Sequence, residues 1–132
     1  MAKKQVNKTL PSDAEIVKYE MLEKLLDASF IEMKEFSKKK PDELLNKFKV
    51  TSLNRILGPI KELLKSEPTI SFLDLLDEDT IPSYSDSILI IAQFQSAMSQ
   101  FKRNYYGPTT KYGNHRWFTK ENPGARYGVE DF

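Results

Sequence analysis

Between Pro82 and Gly107 lies the longest apolar-periodic stretch of the chain, Ser83–Tyr106 (SYSDSILIIAQFQSAMSQFKRNYY), which carries no charge from Ser87 to Phe101. At 100° per residue, Tyr84, Ile88, Ile90, Ile91, Phe94, Ala97, Met98, Phe101, Tyr105 and Tyr106 share one half of the helical circumference, which predicts a buried helix face. Ser83 and Asp86 have capping-box spacing, and Pro82 breaks whatever precedes them. Gly107-Pro108 is expected to stop the helix, with glycine at the position where a left-handed turn is needed.

The other half of this helix constrains function. It holds Ser85, Asp86, Leu89, Ala92, Gln93, Ser96, Ser99 and Gln100, then Arg103 and Asn104 at the end. A solvated helix face is normally rich in Lys and Glu, which favour helix and dissolve well. Here the face is neutral and made of small residues, two amides and a leucine. Either the other helices of the same domain cover it, or a second copy or another protein packs there. Leu89, Gln93, Ser96 and Gln100 are the candidate contacts on this face.

A chain of 132 residues is one domain of ordinary size, large enough to bury a core without staples. Cysteine is absent, which excludes disulfides, thiolate nucleophiles and Cys-based metal sites. No apolar run reaches the ~18 residues of a membrane span, and the N-terminus lacks a signal-peptide core. The expectation is a soluble intracellular protein, cytoplasmic or inside an assembled particle. The net charge of +1 is unevenly laid out. Lys3, Lys4 and Lys8 make the N-terminus basic; between Lys65 and Lys102 there is no Lys or Arg, while Glu67, Asp74, Asp77, Glu78, Asp79 and Asp86 accumulate. Basic ends on an acidic middle suit polyanion contact at the ends, or head-to-tail pairing with another subunit.

Residues 1–11 are polar and unpatterned and read as a flexible basic arm. Ser12 and Glu15 form a second capping box, opening a helix to about Ser37 with Tyr19, Leu22, Leu25, Leu26, Phe30, Met33 and Phe36 as its stripe and a charged outer face. Lys38–Lys40 complement the dipole at its C-terminus. Pro41–Phe48 is expected to be a short helix, with Pro41 at its first position and Asp42 and Glu43 in its first turn. Another is expected from Ser52 to about Lys65, kinked or split at Gly58-Pro59. Thr69–Leu76 reads as one or two helical turns.

The last 26 residues, 107–132, contain four glycines and two prolines and have no helical or alternating period, so regular structure is not expected. Yet they hold Tyr112, Trp117, Phe118, Tyr127 and Phe132. Burying two such rings is worth roughly 3–6 kcal/mol, so the extension should be docked, on its own helices or on a partner.

No catalytic, cofactor-binding or metal-binding residue is expected. His115 stands alone, the Asp74–Asp79 acidic cluster lacks the ligand spacing of a calcium loop, and phosphate-binding and nucleophile-elbow motifs are absent. No small-molecule substrate is apparent. Residues 45–57 have the general look of a helix-turn-helix. The aromatic and basic C-terminal residues could stack bases and track phosphate, but their composition equally suits a protein interface.

The sequence therefore reads as an all-α bundle of four or five helices over 12–106, self-sufficient without its irregular aromatic extension at 107–132. The function it suggests is a non-catalytic assembly or adaptor subunit of a larger complex, a virus particle or another multi-subunit machine. It would self-associate or bind a protein through Leu89, Gln93, Ser96, Gln100, Tyr112, Trp117, Phe118, Tyr127 and Phe132. The alternative is a nucleic-acid-binding accessory factor, packaging or regulatory, using Lys3, Lys4, Lys8, Arg103, Lys111, Arg116, Lys120 and Arg126.

Overall fold

The computed structural model describes residues 10–128. Three α-helices dominate the fold: α1 (Asp13–Lys39), α2 (Lys47–Leu63) and α3 (Tyr84–Tyr105). A 3-10 turn, Pro68–Phe72, lies between α2 and α3, and a two-stranded antiparallel ribbon follows α3: β1 (Tyr106–Pro108) and β2 (His115–Trp117). The mostly helical class agrees with the sequence reading; the four or five helices do not.

Capping at the start of α1 follows the sequence. Ser12 Oγ accepts from the Glu15 N–H at 3.1 Å, and Glu15 Oε1 accepts from the Ser12 N–H at 2.8 Å. At α3, Ser83 Oγ accepts from the Asp86 N–H at 3.1 Å. The helix expected over Pro41–Phe48 does not form, because other groups claim its backbone. Glu43 O accepts from the Tyr84 N–H and Pro41 O from the Ser85 N–H, while the Leu45 N–H donates to Pro82 O. Segment 41–45 thus serves two of the orphan N–H donors that open α3.

Helix α2 begins earlier than expected, at Lys47, where Asn46 Oδ1 accepts from the Lys49 N–H at 2.8 Å. Burial of Val50 outweighs the weak helix propensity of Val50-Thr51. Because α2 runs unbroken through these residues, no helix-turn-helix exists here. Pro59 also lies inside α2 without splitting it. Arg55 and Pro59 are both exposed, so water can serve the carbonyl that the proline cannot. A Cβ added at neighbouring Gly58 would meet nothing within 4 Å. Gly58→Ala is therefore expected to stabilise the protein by ~0.5–1 kcal/mol. A lower melting temperature for this variant would contradict the assignment.

Helices α1 and α3 pack most extensively, with Tyr19 at the centre. Its ring stacks on Phe101 at 5.2 Å and meets the edge of Trp117 at 5.1 Å; its hydroxyl donates to Met98 O at 2.9 Å. Tyr105 is buried on the same side and donates to Glu67 Oε2 at 2.8 Å. The outer face of α1 is less charged than expected, exposing Val17, Met21 and Leu25.

The C-terminal extension packs on this core, which corrects the readings of Phe118 as a partner contact and of the extension as wholly irregular. Phe118 is only 2% exposed, so it is not free to meet a partner, and Trp117, partly buried, packs on Tyr19, Phe101 and Tyr106. The extension also has regular structure: Tyr106 pairs with Trp117 and Pro108 with His115, and the Phe118 N–H donates to Tyr105 O at 2.7 Å. It then clasps the start of α1. Thr119 Oγ1 donates to Asp13 Oδ1, the Lys120 N–H to Pro11 O, and the Asp13 N–H to Glu121 Oε1. Gly107 stops no helix by a left-handed turn: Tyr106 is already extended, and Gly107 sits in β1 with the Arg126 side chain crossing where a Cβ would be. Leu10 and Pro11, placed by the sequence in the arm, pack against the core, while residues 1–9 lie outside the described residues.

Ionisation of Tyr19 and Tyr105 is pushed well above the ordinary tyrosine range. Burial is the larger cause for both, followed by the nearby carboxylates Glu23 and Glu67 respectively. A phenol whose ionisation is raised by folding contributes stability that is complete below about pH 10 and is lost as pH climbs toward its folded value. Thermal stability should therefore fall above about pH 10, and Tyr19→Phe should flatten that fall. A melting temperature that stays level through strongly alkaline pH would refute this.

Candidate functional site

The exposed side of α3 is built by what fails to cover it. Inward, the helix buries Tyr84, Ser87, Ile91, Phe94, Ala97, Met98, Phe101 and Tyr105 against the core. Outward, Leu89 is 60% exposed, and Gln93, Ser96 and Gln100 are open to solvent along the same stripe. The 3-10 turn runs beside the helix but reaches only one edge. The segment that follows the turn is held from α2: Asn54 Nδ2 donates to Leu76 O and the Leu76 N–H donates to Asn54 Oδ1, both at 2.9 Å. This two-bond clamp, with the buried Leu73 and Leu76, sets Phe72 at the rim, 69% exposed.

Between the turn and the helix lies an open groove of about 440 Å³ lined by Thr69, Phe72, Leu73, Leu89, Ala92, Gln93, Ser96, Ala97 and Gln100. A furrow continues along the helix past Ser99 to Arg103, and then to Glu23, Lys102, Tyr106 and Arg126. The groove is apolar and polar but uncharged. On α3's own exposed face charge appears only at the ends, while at mid-helix Gln95 Nε2 donates to Asp27 Oδ1 of α1 at 2.9 Å. Asp86 and the Asp74–Asp79 loop stand at the N-terminal end of α3; Lys102, Arg103 and Arg126 stand at the C-terminal end. Asp77 accepts from the N–H groups of Thr80 and Asp79, which hold its carboxyl below the usual range. Lys102 lies over the Tyr106 ring at 4.9 Å, and Arg126 donates to Arg103 O at 3.0 Å.

The residues singled out by sequence fall into separate places. Leu89, Gln93, Ser96 and Gln100 come together on the groove. Tyr112, 90% exposed, is at the turn between β1 and β2, and Tyr127 is half-exposed near the end of the described chain. Phe118 is buried, Trp117 is partly buried against the core, and Phe132 lies outside the described residues. Of the basic residues, Arg103, Lys111 and Lys120 are exposed but scattered over α3, the ribbon turn and the clasp on α1. Arg116 is committed to its own chain: it donates to the carbonyls of Trp117, Asn122 and Pro123 and lies over the Phe118 ring at 4.5 Å. Lys3, Lys4 and Lys8 lie outside the described residues.

No family model, curated protein or solved structure matches this chain. Its surface has to speak for it. Among the described residues, no three His, Asp or Glu side chains gather as metal ligands, and no helix is long and apolar enough to cross a membrane. His115 is exposed on β2 and makes an edge contact with the Tyr106 ring at 5.9 Å. Sequence reasoning missed Phe72 as a groove wall. The run TISFLDLL offered a weak signal, since Phe72 and Leu73 cannot both face the core from one short turn.

Proposed function

We propose that the chain is a non-catalytic assembly or adaptor subunit of a larger complex, binding a protein partner through the uncharged face of α3. One observation supports this reading most. The stripe Leu89–Gln93–Ser96–Gln100 has no charged residue to solvate it, yet none of the described elements covers it. An exposed apolar groove with polar margins is the kind of surface that soluble proteins keep for association. Phe72 and Leu89 supply its apolar area, and the two glutamine amides can both donate and accept across a contact.

Leu89→Asp tests it. The side chain is exposed, so the fold should survive, while a carboxylate in the groove would be desolvated by any partner. Affinity capture from the native host with the intact chain should recover a stoichiometric protein partner or a second copy, and Leu89→Asp should lose it. Equal recovery by both chains, or by neither, would count against the proposal.

A further inference from the structure

We propose that the occupant of the α3 groove is the same groove of a second copy, with the two α3 helices packed antiparallel about a twofold axis near Gln93 and Ser96. This rests on the reading of α3 as a contact surface and adds the partner's identity and orientation. The distribution of charge favours it. The face is neutral along its length, acidic at the end bearing Asp86, and in basic excess at the other, where Lys102, Arg103 and Arg126 outnumber Glu23. Parallel pairing would set like charges level with each other at both ends. Antiparallel pairing sets the acidic end of each copy level with the basic end of the other, and opposes the helix dipoles favourably.

The lateral fit agrees. Ala92, Ser96 and Ser99 are small, so two helices can approach closely there. The midpoint of α3 (Tyr84–Tyr105) falls between Phe94 and Gln95. Aligned end to end, an antiparallel pair therefore places Leu89 across from Gln100, Gln93 across from Ser96, and Asp86 at the level of Arg103. A self-complementary patch of this kind is what a twofold interface requires.

The chain has no cysteine, so introduced thiols report cleanly. Leu89→Cys and Gln100→Cys are made separately in the full chain and treated with a short bismaleimide, alone and mixed. Antiparallel pairing predicts crosslinked dimer in the mixture and little from either variant alone. The pair Ser85→Cys and Asn104→Cys, level with each other in the antiparallel pair and far from the axis, should repeat the pattern if one of the first variants folds poorly. Self-crosslinking of Leu89→Cys with itself would overturn the orientation. No crosslink in any mixture, from a chain that stays monomeric, would overturn the second copy as occupant. If that monomer still captures a different protein in a Leu89-dependent way, the contact-surface reading survives alone; if capture ignores Leu89, both fall.

Discussion

A chain ending at Tyr106 is expected to unfold, not to behave as a trimmed domain. The deleted part contains Phe118, fully enclosed, and Trp117, whose ring closes the Tyr19–Phe101 stack. Losing a buried phenylalanine alone costs roughly 3–5 kcal/mol, within a total stability of about 5–15 kcal/mol. Truncation adds the exposure of Tyr19 and Tyr105, the loss of the ribbon, and the release of Asp13 from Thr119 and Glu121. Phe118→Ala in the full chain should lower stability by about 3–5 kcal/mol in urea titration. Cooperative melting of the truncated chain near the temperature of the intact one would show that the extension is an appendage after all.

The second large effect is expected at Asn54. Its amide makes two 2.9 Å bonds to the backbone of Leu76, a residue only 3% exposed. Asn54→Leu would leave a backbone N–H and a carbonyl without this partner, at about 2–4 kcal/mol for the two together. The urea midpoint should fall with an unchanged slope. Since the clamp also positions the wall of the α3 groove, association should weaken in Asn54→Leu at temperatures where the fold persists. Stability within ~0.5 kcal/mol of the native chain would mean that water replaces both bonds at no cost.

What could be read in advance divides along a physical line. Local signals were legible: Ser12 with Glu15, Ser83 with Asp86, and the apolar stripe of α3 all report short-range hydrogen bonding and 3.6-residue periodicity. Signals that depend on a distant partner were not. Pro41, Asp42 and Glu43 are sound helix-start residues, yet their backbone is claimed by the opening of α3, some forty residues away in the chain. Trp117 and Phe118 declared that they needed cover, but the free energy of burial is the same whether the cover is the chain itself or another molecule. Here it is the chain itself. The neutral face of α3 posed the same question and is left uncovered by the described residues, the 3-10 turn reaching only one edge of it.

The groove also brings together residues that sequence spacing alone could not relate. Phe72 and Leu89 are seventeen positions apart, in different elements, and stand on the two sides of one depression. Their exposure, 69% and 60%, leaves two large apolar side chains in water at a site with no charge between them. Covering each is worth about 1.5–3 kcal/mol, the gain on which the proposed association would draw against its entropic cost.

Sedimentation velocity of the intact chain beside Leu89→Asp, over a wide range of concentration, puts the role of this surface to the test. The intact chain should pass from monomer to dimer as concentration rises, more readily at low salt, while Leu89→Asp remains monomeric with an unchanged melt. Superimposable monomeric profiles for the two chains at every concentration would mean that the uncharged side of α3 is simply solvated.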